Sequence, residues 1–124
     1  MPNVPIISIV DDDESVRVAT ASLIRSLGWR VKLYASAEAF LQSSDFEATA
    51  CIVCDIQMPG MTGLEMQAQL VANGSRLPIV FVTAFPSDTA RRQACANGAR
   101  FFLHKPVDAQ EMTHCLQTIL DAAQ

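Results

Sequence analysis

Carboxylates stand at two places in this sequence where an apolar run ends. Asp11, Asp12 and Asp13 follow the run PIISIV, and Asp55 follows ACIVC and precedes a Met-Pro-Gly turn. If Asp11, Asp12 and Asp55 lie close together, each pair of like charges costs about 4 kcal/mol at 4 Å and an effective dielectric constant near 20. A divalent ion would neutralise that charge, and oxygen ligands select a hard ion. These three aspartates therefore predict a Mg²⁺ site, with Mn²⁺ as a substitute ion.

A threonine and a lysine at similar positions predict a reaction of phosphoryl groups. Thr83 follows the apolar run PIVFV, and Lys105 follows RFFLH. A carboxylate beside Mg²⁺ and an ammonium group can attack a phosphoryl group and hold it as an acyl phosphate. The ion and Lys105 would neutralise charge on the phosphoryl oxygens, and the Thr83 hydroxyl could donate a hydrogen bond to one of them. Asp55 is the predicted nucleophile.

Simpler interpretations of the same residue types stay open. An acidic run is also typical of a solvated helix N-terminus, favoured by the helix dipole, and this is the prediction for Asp13 and Glu14. Thr83 could be an ordinary β-branched residue at the end of a strand. Cys51 and Cys54 form a C-x-x-C pair, but on a strand their side chains point to opposite faces. We expect them to be buried free thiols rather than a disulfide or metal pair.

Short apolar runs alternate with helical patterns along the whole chain, and this alternation predicts how the acids are positioned. Five strands and five helices in strict alternation imply a parallel sheet with helices on both faces. Chemistry in such sheets gathers beyond the carboxyl ends of the strands, where the acids, Thr83 and Lys105 would converge. The predicted strands are Pro5–Val10, Arg30–Tyr34, Ala50–Cys54, Pro78–Val82 and Arg100–Leu103, with Arg30–Tyr34 at an edge.

The predicted helices each have an apolar stripe that should face the sheet. They cover residues 14–27, a short segment capped by Ser36, residues 63–73, a segment capped by Ser87, and a segment opened by the capping box Asp108-x-x-Glu111. The fourth stripe is weak, so we expect that helix to pack loosely. In chain order, the stripes are Val16, Ala19, Leu23, Ile24 and Leu27; Ala37, Phe40 and Leu41; Leu64, Ala68 and Val71; Ala90 and Ala94; and Met112, Cys115, Leu116, Ile119 and Leu120.

Composition limits the classes of protein to consider. A chain of 124 residues that is 50% apolar is typical of one soluble globular domain, here residues 1–124. No apolar run reaches the length of a membrane span, and the N-terminus lacks the features of a signal peptide, so the expected location is the cytoplasm. The net charge of −4 argues against binding of nucleic acid by this domain alone.

Several short motifs, taken in order, resemble the receiver domain of two-component response regulators. They are Asp11-Asp12, Asp55 with Met58-Pro59, Met61 and Gly63, then Thr83-Ala84, and finally Lys105-Pro106. The resemblance covers essentially the whole chain. The segment SAEAFL at residues 36–41 is similar to the FixJ subfamily, whose receivers usually precede a LuxR-type helix-turn-helix output domain.

The resemblance implies a flavodoxin-like (βα)5 three-layer sandwich with strand order 2-1-3-4-5. It implies that Asp55 accepts phosphate from a sensor histidine kinase, and that Mg²⁺ is held by the aspartates with the backbone carbonyl of Gln57. Lys105 and Thr83 would contact the phosphoryl group, Phe102 would be the aromatic switch, and the Lys105-Pro106 bond would be cis. The face made by the fourth helix, fifth strand and fifth helix would carry the signal, through a homodimer on phosphorylation and a DNA-binding output domain outside this chain.

Two rival functions and one departure from the family pattern remain to be weighed. A haloacid-dehalogenase-like phosphatase also uses an aspartate at a strand end, but it needs a second aspartate two residues on, where this chain has Gln57. A flavodoxin would need a Ser/Thr/Gly loop where Asp11-Asp12-Asp13 stands. Phe85-Pro86 occupies a place where small or polar residues are common in the subfamily, so the phosphate lifetime is open.

Overall fold

The computed structural model describes residues 4–43 and 48–122, and it contains five strands and five helices in strict alternation. The predicted strands are confirmed, with ends that differ by one residue in most cases. The third strand runs further than predicted and includes Asp55. The bounds are β1 Ile6–Val10, α1 Glu14–Ser26, β2 Arg30–Tyr34, α2 Ala37–Gln42, β3 Thr49–Asp55, α3 Gly63–Ala72, β4 Ile79–Thr83, α4 Asp88–Ala96, β5 Phe101–His104 and α5 Ala109–Ala122.

The five strands form one parallel sheet in the order β2-β1-β3-β4-β5. This is the predicted flavodoxin-like order, and it leaves β2 and β5 at the two edges. The register sets Val10 opposite Cys54, and Asp55 opposite Val82. The carboxyl ends of the three central strands therefore meet at one edge of the sheet, as the sequence predicts.

Each face of the sheet is covered by its own apolar cluster. One cluster includes Ile7, Ile9 and Cys51 and packs against α1 and α5, and the other includes Val10, Phe40 and Cys54 and packs against α2, α3 and α4. Cys51 and Cys54 are buried free thiols on opposite faces, as predicted. Burial raises the pKa of the Cys51 thiol to about 12, and burial also raises the pKa of the Cys54 thiol. Both residues therefore act as small core hydrophobes.

The predicted buried faces of α2, α4 and α5 are confirmed, whereas that of α1 is only partly right. Ala21 and Ile24 are the buried residues of α1, while Ala19 is exposed. The reason is that α1 stands away from the loop after β5. Ala19, Val16 and Leu23 line a cavity of about 400 Å³ there, together with Lys105 and its neighbours.

The predicted buried face of α3 is only partly right: Leu64 packs against the apolar cluster as predicted. The helix buries Met66, Gln67 and Leu70, whereas Ala68 and Val71 are exposed. A buried glutamine breaks the apolar pattern: Gln67 Nε2 donates a hydrogen bond to the carbonyl of Ala94 in α4 at 2.9 Å, while its Oε1 is buried without a partner among the described residues. A stripe count cannot anticipate a polar side chain that finds its partner 27 residues away.

Side chains cap most of the helices as expected. The hydroxyls of Ser36 and Ser87 accept hydrogen bonds from Ala39 N and Ala90 N, and Asp13 accepts from Val16 N. Asp108 accepts from Glu111 N, which is one half of the predicted capping box. A reciprocal box lies instead at the start of α3, between Thr62 and Glu65. Within residues 4–43 and 48–122, no helix combines the length and apolar character needed to cross a bilayer.

Candidate functional site

Asp11 lies just beyond β1 and is fixed by backbone contacts on both sides. Its N–H donates to the carbonyl of Tyr34 at 3.1 Å, and its Oδ1 accepts from Asp13 N at 2.9 Å. Its own carbonyl accepts from Nη1 of Arg17 at 2.7 Å. Asp11 is 4% exposed, so the end of a buried strand presents an aspartate in a set orientation.

Asp55 is the last residue of β3, a strand that is buried along nearly its whole length. The start of α3 packs directly on the backbone that follows it: Gly63 N donates to the carbonyl of Ile56 at 2.8 Å. A Cβ atom at Gly63 would collide with the carbonyl oxygen of Asp55, so this close packing requires glycine. The strand positions Asp55 from one side and the start of the helix positions it from the other.

Lys105 forms ion pairs with both Asp11 and Asp55. Its Nζ lies 3.0 Å from Oδ2 of Asp11 and 3.3 Å from Oδ2 of Asp55. It reaches them from the end of β5, where Lys105 N donates to the carbonyl of Thr83 at 2.8 Å and the following Lys105-Pro106 bond is cis, as predicted. One ammonium group therefore faces two carboxylates.

Asp12 completes a cluster of three acids. Oxygen atoms of Asp11, Asp12 and Asp55 all lie within 4.8 Å of one another, and Asp12 is the exposed member. The donor set consists of oxygen atoms, and Lys105 supplies a single positive charge against three negative ones. This arrangement fits a hard divalent ion that enters from the solvent side.

The excess of negative charge in the cluster also affects the pKa values of Asp55 and Lys105. Burial raises the pKa of Asp55, and the charge of Asp11 adds to this, although Lys105 acts in the opposite direction. Partial burial lowers the pKa of Lys105, but the hydrogen bond to Asp11 and the charges of both aspartates more than offset it, so the pKa of Lys105 is raised overall. In the absence of an ion, ionisation of Asp55 therefore costs more free energy in this site than in water.

Thr83 ends β4 against the backbone of Lys105, and Phe102 lies on the neighbouring strand β5. Thr83 is 1% exposed, and its Oγ1 accepts from Phe85 N at 3.1 Å, which leaves its O–H able to donate. The Phe102 ring is half-buried against the apolar cluster under α4, and the guanidinium of Arg91 lies 4.9 Å from the centre of the ring. Phe85 is 70% exposed.

Two residues that our sequence analysis did not select also contact this region. Arg17 holds the Asp11 carbonyl, and Glu38 of α2 accepts a hydrogen bond from Met61 N at 3.2 Å, in the loop that follows Asp55. Charged residues in the first turns of helices are common, so neither had a distinguishing signal.

Gln57, predicted to offer its carbonyl, lies two residues after Asp55 and has an exposed side chain.

Two curated proteins are similar to this chain over most of its length. The chain is similar to the response regulator protein TmoT of Ectopseudomonas mendocina (37% identity over 118 residues, 95% of this chain and 54% of TmoT). It is also similar to the transcriptional regulatory protein FixJ of Azorhizobium caulinodans (36% over 108 residues, 87% of this chain and 51% of FixJ). The chain spans about half the length of the curated relatives it matches.

Solved structures give the same result. The response regulator StyR matches with a TM-score of 0.86 and 37% identity, over 97% of this chain and 61% of StyR. FixJ-N matches with a TM-score of 0.83 and 28% identity, over 96% of this chain and 94% of FixJ-N. The family model of the response regulator receiver domain matches residues 7–117. The chain therefore belongs to the response regulator receiver domain family.

Proposed function

We propose that Asp55 is the phosphoacceptor of this receiver domain, and that residues 1–124 act as one switch controlled by phosphorylation. The observation that carries the proposal is the position of Lys105, whose Nζ lies within 3.3 Å of both Asp11 and Asp55 in a cluster of three acids. Aspartate, a cation site and a lysine are the groups that acyl phosphate formation needs.

In the proposed reaction, an Oδ atom of Asp55 attacks the phosphorus atom of a phosphohistidine on a sensor histidine kinase. The new P–O bond forms as the P–N bond breaks, and the imidazole leaves. Lys105 would move from its carboxylate partners to an oxygen of the transferred group, and Thr83 would donate its O–H to another. Mg²⁺, held by Asp11, Asp12, Asp55 and the carbonyl of Gln57, would supply charge neutralisation, and Mn²⁺ could replace it. Water later attacks the phosphorus and releases phosphate.

The relatives support a proposal about the partners. The matched region covers only 54% of TmoT and 51% of FixJ, and FixJ is a transcriptional regulatory protein. We therefore propose a cytoplasmic kinase–regulator pair and a DNA-binding output domain outside the present chain. Dimerisation on phosphorylation would use the face of α4, β5 and α5, with Phe102 as the residue that changes. The net charge of −4 fits a domain that does not itself bind nucleic acid.

The test is phosphorylation by acetyl phosphate in the presence of Mg²⁺, measured by intact-protein mass spectrometry. We expect one phosphoryl group that survives acid and is removed by hydroxylamine. Asp55→Asn should abolish labelling, whereas Asp13→Asn is the matched control because Asp13 caps α1 instead of joining the cluster. Unchanged labelling of Asp55→Asn would refute the assignment, and rapid turnover of p-nitrophenyl phosphate would favour the phosphatase alternative.

A further inference from the structure

The loop between β3 and α3, residues 56–62, carries the Gln57 carbonyl and is pressed against α2. Its apolar anchor is Met58, which is 7% exposed and shares a cluster with Ala37 and Phe40 of α2. Its far end is fixed by the hydrogen bond from Gly63 N to the Ile56 carbonyl. Between these two anchors, the path of the loop depends on what holds residues 59–61.

Glu38 makes that contact. Its Oε2 accepts a hydrogen bond from Met61 N at 3.2 Å, across 23 residues of sequence. Gly60 has φ +75°, and a Cβ atom there would lie 2.6 Å from Oε2 of Glu38. The positive φ favours glycine at position 60, and a Cβ atom there would displace the end of the Glu38 side chain.

The position of this carboxylate is costly, and α2 itself does not require it. Oε1 of Glu38 is buried and has no hydrogen-bond partner among residues 4–43 and 48–122. A buried polar atom without a partner costs free energy. The N-terminus of α2 is already capped by Ser36, whose hydroxyl accepts from Ala39 N at 3.0 Å. The group that benefits from the Glu38 carboxylate is the Met61 amide of the loop.

We propose that Glu38 is a positioning residue for the metal site: by holding Met61 N against α2, it sets the path of residues 57–61 and thus the direction of the Gln57 carbonyl. This inference rests on the proposed Mg²⁺ site. Groups that orient metal ligands without contacting the metal commonly change metal affinity by about 10–100-fold when they are removed.

The experiment is a titration of the full chain with Mg²⁺ alone, followed by the NMR signals of backbone amides. Glu38→Ala should weaken Mg²⁺ binding by about 10-fold and shift the Met61 amide signal in the absence of the ion. Glu38→Gln should stay within about twofold of wild type, because an amide oxygen can still accept from Met61 N. Ser36→Ala is the matched control, since it weakens the same helix without touching the loop. It should lower the melting temperature but leave the Mg²⁺ Kd unchanged.

A double-mutant cycle with Gly60→Ala separates positioning from general damage. Gly60→Ala should weaken Mg²⁺ binding more in wild type than in Glu38→Ala, because the collision with Oε2 is absent in the second background. Unchanged affinity in Glu38→Ala would overturn the inference, as would equal losses in Glu38→Gln and Glu38→Ala, which would indicate an effect of charge. If Glu38→Ala does not fold, Glu38→Leu, which keeps side-chain bulk but cannot accept from Met61 N, replaces it and should show the same loss of Mg²⁺ affinity. If the wild type does not bind Mg²⁺, the proposed function is refuted. The shift of the Met61 amide signal in Glu38→Ala would still show whether Glu38 holds the loop.

Discussion

The inner strands and the β5 edge of this sheet are built very differently. Every residue of β1 is buried, as is nearly all of β3, and these strands present Asp11 and Asp55. In β5 only Leu103 is buried, and the neighbouring α4 buries Ala94 alone among its nine residues. By contrast, α5 buries five residues.

The two regions have different tasks in the proposed function. Acids that must stay close despite their repulsion need strands held on both faces, because the packing of the core opposes the repulsion. An element that must change its packing in response to a phosphoryl group needs few buried contacts, so that two arrangements differ little in free energy. The half-buried Phe102, with Arg91 over its ring, lies on the loosely packed side. The chemistry and the proposed response are therefore assigned to regions of different rigidity.

The difference in packing between the two regions can be tested most directly by truncating one side chain in each region. Ile7→Ala removes a fully buried side chain of β1 and should lower the free energy of unfolding by about 2–5 kcal/mol. Phe102→Ala removes a larger side chain that is only half-buried, and it should cost less. Urea unfolding measures both. Equal losses would mean that the β5 edge is as firmly packed as the centre.

Mg²⁺ should add stability to the rigid region, since the ion neutralises the acids that the strands hold together. At 100 times its Kd, the ion should raise the free energy of unfolding by about 2.7 kcal/mol. Asp12→Ala should abolish that gain, whereas Asp121→Ala, at an exposed site on α5, should retain it. Thermal melts with and without Mg²⁺ provide the measurement. A full Mg²⁺ response in Asp12→Ala would show that Asp12 is not a ligand.

Thr83→Ala should disconnect the two regions. The phosphoryl group on Asp55 is expected to draw the Thr83 hydroxyl inward and vacate space under α4 for the Phe102 ring. Without the hydroxyl, the domain should accept phosphate normally but lose the gain in self-association, a coupling of about 1–3 kcal/mol or 5–150-fold. Sedimentation with and without acetyl phosphate tests this. A variant that dimerises like wild type would exclude this coupling route while leaving Asp55 unaffected.

The smallest expected effect is a pH dependence of stability without metal. Because burial raises the pKa of Asp55, the folded state binds the proton more tightly than the unfolded state. Ionised Asp55 therefore lowers stability at neutral pH, and the loss is relieved as the pH falls from above the raised pKa towards the ordinary value. Asp55→Asn should be more stable than wild type near pH 7 in chelator, and the difference should shrink on acidification. Lys105 limits the effect, so it should be smaller than the gain from Mg²⁺. A difference independent of pH would rule out this origin.

Local sequence determined the strands, the edge where their carboxyl ends meet and the helix caps. Apolar runs ending in Asp11, Asp55 and Thr83 predict both the strands and the edge where their ends meet, because a parallel sheet places all carboxyl ends together. The caps at Ser36 and Ser87 were equally readable, since a cap depends on contacts three residues apart. The strand order 2-1-3-4-5 came from the family resemblance, and the sheet confirms it.

Tertiary structure decided what depends on partners distant in sequence. The buried face of α3 includes Gln67, whose Nε2 donates to the Ala94 carbonyl of another helix while its Oε1 is buried without a hydrogen-bond partner among the described residues. The contact made by Glu38 also depends on residues distant in sequence. Nothing near Glu38 in the chain distinguishes it from an ordinary glutamate of a first helical turn. Its role arises because folding brings Gly60 and Met61 against its carboxylate. Local sequence determines which elements form and where they end, whereas the fold determines which polar groups become buried and which of their atoms find hydrogen-bond partners.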